Sequence, residues 1–356
     1  MNPGSPRSLP KAMSPERFQA LTSRYPALRV AVLGDFCLDR YLEIEPARAE
    51  LSLETGLPVH NVARVRAQPG GAGTILNNLA ALGVGSLFPV GYAGCDGEGF
   101  ELCQALEQLP GVRLEHFLRT PQRRTFTYCK PLVLEADAPP RELNRLDFKN
   151  WTPTPAAVQA QLSQSLAAVG AAVDALIVLD QVDIPETGVV GGQVLKTLSQ
   201  LAKADTNCVM LADSRRTLRG FPPVLFKMNT AELAALTGAQ KPLELPEIGR
   251  AAVELARHNG RSVFITMAER GLLGANPAGE IEHVPALPVR GPIDVVGAGD
   301  AVSANLAVAL ACGAGLREAL EVANAAASVV IHKLGTTGTA SVAELFSTMK
   351  EREKMN

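Results

Sequence analysis

Short apolar runs that end in a glycine, an asparagine or an acid recur along the chain. They alternate with stretches in which apolar residues return every three or four positions. The runs are LRVAVLGD (28–35), LFPVGYAG (87–94), DALIVLD (174–180), CVMLAD (208–213), VLFKMN (224–229) and SVFITMAERG (262–271). Nearly unbroken apolarity over such short lengths predicts strands buried on both faces, as in a parallel sheet. Between them, TILNNLAALG (74–83), GFELCQALEQL (99–109), VLKTLSQLAK (194–203) and AAVELARHNG (251–260) carry helical spacing, often with a closing Gly or Asn. Strands alternating with helices in this way predict an α/β fold with a mostly parallel sheet covered on both faces.

Two segments break the alternation. Residues 40–68 and 124–148 place Thr, Val, Tyr and Leu between polar residues and lack helical periodicity. They predict a small antiparallel sheet inserted into the α/β domain; the alternative is two long surface loops, which compact domains seldom carry. The expected boundaries are a flexible N-terminal arm over 1–27, one domain over 28–345 with a lid from about 40–68 and 113–148, and a C-terminal tail over 346–356.

Composition narrows the class without changing the fold. With 356 residues and a hydrophobic fraction of 47% the chain can fill a large core. A formal net charge of -2 and only short basic clusters give no footprint for nucleic acid. The six cysteines form no C-x-x-C pair, so neither a zinc ribbon nor a dithiol redox site is signalled. The opening MNPGSPRSLPKAMSPERF lacks the apolar core of a signal peptide, and no apolar stretch reaches the length of a membrane span, so a cytoplasmic protein is expected.

In an open parallel sheet, ligands bind beyond the carboxyl ends of the strands. The polar residues expected there are Asp35, Asp39, Asp96, Asp180, Asp213, Asn229, Glu232, Thr266 and Asp300. The segment DVVGAGD (294–300) stands out among them. Gly297, Ala298 and Gly299 lead directly into an apolar helix, so backbone N–H groups and the helix dipole can converge on an anion. Asp300, in the first turn, would face the same spot, and a carboxylate beside a phosphate nest suits transfer to a hydroxyl. The plainer alternative is a capped helix start with a tight glycine turn. A second glycine cluster, PGGAGTILNNLAALG (69–83), also opens a helix. Gly-Lys occurs nowhere, which excludes a Walker A loop. GAGDAV lacks the third glycine of a dinucleotide fingerprint, and neither H-E-x-x-H nor G-x-S-x-G is present.

These two clusters, in this order, resemble the signatures of the ribokinase-like (PfkB) carbohydrate kinases: P-G-G-A-x-N-x-A-x-x-x-A-x-L-G early and D-T-x-G-A-G-D late. The resemblance runs from about Arg29 to Glu344. It implies a three-layer α/β/α domain with a small β-sheet lid, and ATP and Mg²⁺ as phosphoryl donor and metal. The inserted sheet has exposed edges that a second copy can cover, so a homodimer through the lid is expected. Within the family, LDRY, LSLETGLPV, RLDF and ANAAASVVIHKLGT resemble the heptose-7-phosphate kinase branch, the kinase half of a bifunctional ADP-heptose synthesis enzyme.

Carried over residue by residue, the resemblance makes Asp300 the catalytic base and Gly297, Ala298 and Gly299 the anion hole. Asp39, Gly70, Gly71 and Thr74 fall on the sugar side, with Asp35 ranked below Asp39 as a turn acid. Lys130, Arg123, Arg124 or Arg141 on the lid would meet a phosphate already on the acceptor. Asn229, Thr266, Gly271, Asn324 and Gly335 fall on the nucleotide side, and Glu232 would order Mg²⁺ through water. Asp294, Val296, Gly335 and Thr339 correspond to a loop that binds a monovalent cation, K⁺, in many members. Thr74 stands where the first signature has Asn, Val295-Val296 replace a Thr-containing pair, and Thr55-Gly56 replace Ala-Pro. These departures bear on the acceptor, so a nucleoside or another small alcohol stays open, as does a silent sugar- or nucleotide-binding homologue.

Overall fold

The computed structural model describes residues 12–135, 138, 140–204 and 207–355. Nine strands form the main sheet. From one edge to the other they are Ile281–Val284, Leu272–Ala275, Val263–Thr266, Leu225–Asn229, Val209–Ser214, Ala175–Asp180, Arg29–Gly34, Ser86–Gly94 and Phe117–Thr120. Neighbours are parallel from Val263–Thr266 to Phe117–Thr120, and the two strands at the other edge run antiparallel.

The apolar runs are continuous because the central strands feed two separate cores. In Arg29–Gly34, Val30 and Val32 pack into one core, while Ala31 and Leu33 pack into the other. The first core is closed by helices Ala72–Ala81, Gly97–Glu107, Ala298–Ala311 and Leu316–Ile331, and the second by Ala156–Gly170, Gly192–Lys203 and Leu245–Asn259. Side chains alternate across a strand, so each strand must be apolar on both faces. This is the expected three-layer arrangement.

A second sheet stands over the carboxyl ends of these strands. Its order is Leu146–Phe148, Phe126–Val133, Phe36–Ile44, Val62–Gly71, with Arg141–Glu142 pairing to Phe126–Val133. It is mixed rather than antiparallel, because Phe36–Ile44 runs parallel to Phe126–Val133 and antiparallel to Val62–Gly71. Phe117–Thr120, within the span expected for the lid, pairs with Ser86–Gly94 and so belongs to the main sheet. The lid strands also reach further inward than expected, to Phe36 and to Gly71.

The ends differ from the expected arm and tail. Pro15–Thr22 is a helix capped by Ser14, whose hydroxyl accepts from Arg17 N, and it buries Phe18 and Leu21 in the first core. Residues 1–11 of the expected arm lie outside the described residues. Val342–Met355 is also helical; Ser341 and Glu344 cap its start reciprocally, and Leu345 is buried. Among the described residues no helix is long and apolar enough to cross a membrane.

Candidate functional site

The site lies between the strand ends and the lid, where the helix Ala298–Ala311 begins. Gly297 caps that helix with φ 82°, a left-handed conformation that favours glycine, and its Ala301 N–H bond (3.0 Å) closes the first turn. A Cβ on Gly297 would collide with the methyl group of Thr337 and touch that of Thr74 at 3.5 Å. The glycine therefore meets both steric demands at once, and Thr74 flanks the nest.

Asp300 is 7% exposed in the first turn of this helix. Burial, above all, raises its carboxyl to a pKa of about 6. Arg215 and Lys227 pull the value down, while Asp213 and Asp39 push it up. The group thus has charged neighbours from the sheet and from the lid, and it still ionises below neutral pH.

Lys227 went unnoticed in the sequence. It lies directly opposite Asp213 on the adjacent strand, and its ammonium donates to Asp213 Oδ2 at 2.6 Å. Ser303 Oγ donates to the same oxygen at 3.2 Å. The Lys227 ammonium also lies 3.1 Å from where a Cβ on Gly299 would stand, so it borders the nest. The available signal was a lysine inside an otherwise apolar run, VLFKMN: a buried lysine needs an acidic partner.

Asn229 caps the helix Thr230–Thr237 in a reciprocal box: its Oδ1 accepts from Glu232 N (2.9 Å), and Glu232 Oε2 accepts from Asn229 N (2.7 Å). Burial raises the Glu232 pKa first. The Asn229 N–H lowers it, Asp213 raises it, and Lys227 and Arg215 lower it. Glu232 therefore shares one electrostatic neighbourhood with Asp213, Arg215 and Lys227.

Asp39 is buried on the lid strand Phe36–Ile44, 3.7 Å from the Lys130 ammonium. Its pKa is raised by burial even though Lys130 opposes the shift. For Lys130, burial pushes the pKa down, but Asp39 and the Tyr41 hydroxyl more than offset it. Cys37 is buried on the same lid face, and Asp39 and Asp300 both act on its thiol, which burial holds well above the usual range. Gly70 is required here: a Cβ would stand 2.6 Å from Asp39 Oδ2 and 2.8 Å from Cys37 Sγ. Gly71 adopts φ 57° against the carbonyl of Asp35.

The remaining candidates separate clearly. Asp35 is a turn acid: it accepts from the backbone N–H groups of Gln181, Val182 and Val189 at 2.7 to 3.2 Å. Asp96 caps a helix and holds Thr125, and Asp180 holds Ser214 and Arg216. Arg123 is not free for a ligand, because its buried guanidinium clamps the carbonyls of Thr152 and Thr187. Arg141 sits near Glu135 (3.8 Å) in a cavity with Leu42 and Leu146, on the lid face away from Asp39. The Arg124 guanidinium packs over Phe148. Arg145, overlooked in the sequence, pairs with both oxygens of Asp147 at 2.7 and 2.8 Å, lies over the Tyr128 ring and acts on Asp39.

Thr266 ends its strand. Gly271, at φ 86°, presses against the backbone of Val284 to Ala286, and Asn324 Nδ2 donates to Pro285 O at 2.9 Å. Gly271 and Asn324 thus frame one segment. Gly335 is exposed at φ 69°. Asp294 Oδ1 accepts from Val296 N, and the Thr339 carbonyl accepts from the Lys333 ammonium at 2.6 Å. One carbonyl of the loop expected to hold a monovalent cation, that of Thr339, is therefore already bound by a cation of the chain.

The pfkB family of carbohydrate kinases matches the sequence over residues 29–343. The chain is 33% identical over 308 residues to the bifunctional protein HldE of Azorhizobium caulinodans, covering 86% of this chain and 61% of that protein. It is 34% identical over 330 residues to the bifunctional protein HldE of Pectobacterium atrosepticum, covering 91% and 63%. The chain thus spans less than two thirds of the length of these relatives. Among solved structures, phosphofructokinase-2 from Escherichia coli in complex with potassium superposes with a TM-score of 0.68 at 19% identity, covering 92% of this chain and 99% of that one. Arabidopsis thaliana ribokinase complexed with ribose and ATP gives 0.65 at 20%, covering 91% and 99%.

Proposed function

The chain belongs to the pfkB family of carbohydrate kinases, and from that premise we propose that it transfers the γ-phosphate of ATP to a hydroxyl of a sugar phosphate. The observation that carries the reading is the buried Asp300 carboxyl beside the Gly297–Gly299 nest, with the Lys227 ammonium at its edge. As the acceptor oxygen bonds to the γ-phosphorus, its proton passes to Asp300 and the bond to the bridging oxygen of the departing ADP breaks. Ala298 N donates to Val295 O at 3.3 Å, so the Gly297 and Gly299 N–H groups, the helix dipole and Lys227 oppose the charge that develops on the transferring group.

Asp39, Gly70, Gly71 and Thr74 form the acceptor side. Lys130, only loosely joined to Asp39, is the cation for a phosphate already on the acceptor, with Arg145 beside it held by Asp147. Asn229, Thr266, Gly271, Asn324 and Gly335 form the nucleotide side. Glu232 fits a water-bridged Mg²⁺, since a carboxylate whose pKa is raised by burial and by Asp213 gains from a nearby divalent cation. Mg²⁺, when bound with the nucleotide, supplies neutralising charge to the phosphates.

The acceptor we favour is a heptose 7-phosphate. This rests on the resemblance to that kinase branch and on relatives that are bifunctional HldE proteins. The test is ATP consumption across a panel of heptose phosphates, hexose phosphates, free sugars and nucleosides. The reading expects a heptose phosphate to give the highest kcat/KM; a nucleoside at the top of the panel would reject it. A homodimer through the lid is part of the proposal, because the lid face away from Asp39 exposes Val65 (47%) and Leu146 (57%).

A further inference from the structure

The C-terminal end of the helix Leu316–Ile331 is closed by the chain's own donors. Ser328 O accepts from His332 Nδ1 (2.6 Å), Val329 O from His332 N (3.3 Å), Val330 O from Lys333 N (3.0 Å) and Ile331 O from Asp294 N (2.8 Å). These are the carbonyls a helix end leaves for capping donors or for a cation. The second ring nitrogen of His332 accepts from Arg290 N at 2.9 Å, which ties in the segment leading to DVVGAGD.

Lys333 completes the closure. Its ammonium donates to Thr339 O at 2.6 Å and pairs with Glu344 Oε1 at 2.6 Å, while the other oxygen of Glu344 caps the last helix through Ser341. This pins both ends of the loop 334–340. Within that loop Thr337 packs its methyl group on Gly297, and the Thr336 hydroxyl donates to Gln68 Oε1 (3.2 Å) on the lid strand, beside Asp39. One side-chain cation thus fixes a strap that touches the anion nest and the lid.

A K⁺ at Thr339 would have to share that carbonyl with an ammonium ion, and like charges so close repel. One oxygen of the Asp294 carboxylate, Oδ1, accepts from Val296 N. We propose that Lys333 does the work of a bound monovalent cation in this chain: it is a positioning residue for the Gly297 nest, and the chain needs no K⁺. The proposal rests on the kinase reading only in using MgATP as a probe.

The test compares the native chain with Lys333→Met, in K⁺ and in tetramethylammonium buffers. It follows MgATP affinity by calorimetry, the melting temperature, and Rb⁺ anomalous scattering in crystals. Glu344, the carboxylate that loses its partner, is 41% exposed, so the substitution strands no buried charge. The native chain is expected to bind MgATP equally in both buffers, with an unchanged melting temperature and no Rb⁺ beside Thr339 O. Lys333→Met is expected to bind about tenfold more weakly without K⁺ and to recover in K⁺, with Rb⁺ now at that carbonyl. Three results would each overturn the proposal: Rb⁺ at Thr339 O in the native chain, native affinity that depends on K⁺, or a Lys333→Met chain indifferent to K⁺. A native chain that binds no MgATP in either buffer would reject the kinase reading, and the Rb⁺ experiment would still decide this one.

Discussion

Lys227 and Asp213 face each other across adjacent parallel strands, and the ammonium of one donates to the carboxylate of the other at 2.6 Å with both side chains almost sealed from water. Such a pair is expensive to bury, and an apolar pair of similar volume would serve stability as well. In the proposed mechanism, its place at the edge of the Gly299 turn gives the pair a catalytic use.

Removing Lys227 alone would leave the buried Asp213 carboxyl without its cation, at a cost of about 3–5 kcal/mol. The double replacement Asp213→Asn with Lys227→Gln keeps a neutral hydrogen-bonding pair of similar size. It is expected to fold with a melting temperature close to the native one and to lose about a hundredfold in kcat/KM. Near-native kcat/KM in the double variant would confine the pair to a structural role.

Asp39 and Lys130 are only loosely joined, at 3.7 Å, and both are largely buried on the lid. If they hold the acceptor, Lys130→Met raises KM for a phosphorylated acceptor about tenfold or more and leaves KM for ATP nearly unchanged. Steady-state kinetics with each substrate varied in turn separates the two. An equal rise in both constants would point to a collapsed lid.

Ionisation of Asp300 sets two pH dependences of opposite sign. Transfer needs the carboxylate, so kcat/KM is expected to fall as pH drops through about 6, and the profile measured from pH 4.5 to 8 checks it. The folded chain holds this proton more tightly than the unfolded chain. Its stabilising effect is therefore complete below the ordinary value of 3.8 and disappears as pH rises through about 6. Asp300→Asn should accordingly melt higher than the native chain at pH 8, by about 2–3 kcal/mol of stability, and the gain should vanish near pH 4.

The lid prediction is independent of chemistry. A charge placed in its exposed apolar face by Leu146→Glu is expected to convert a dimer to a monomer in light scattering. A native chain that is monomeric at high concentration would remove the lid from the assembly.

The α/β layering was legible because burial on both faces forces apolar continuity, as in Val30 to Leu33. Both glycine clusters were legible because backbone shape favours glycine at Gly71 and Gly297, and close side-chain contacts leave no room for a Cβ at Gly70. The two terminal helices carried their own signals, Ser14-Pro15-Glu16 and Ser341-x-x-Glu344, yet the first is short and the second polar enough to pass for a tail. The mixed lid was hidden, because the pairing of Phe36–Ile44 with Phe126–Val133 joins strands about ninety residues apart and periodicity says nothing of direction. Lys227 carried a signal, a lysine in an apolar run, but its partner Asp213 is identified only by the fold, as is the approach of Arg145 to Tyr128 and Asp39. Arg123 shows the converse, a basic lid residue that the fold commits to backbone carbonyls.

The central claim is that Asp300 takes the acceptor's proton, and single-turnover phosphoryl transfer by Asp300→Asn tests it most directly. The expected result is transfer slower by about a hundred- to ten-thousandfold, with MgATP affinity within a few-fold of native and an unchanged circular dichroism spectrum. Near-native transfer by Asp300→Asn would contradict it.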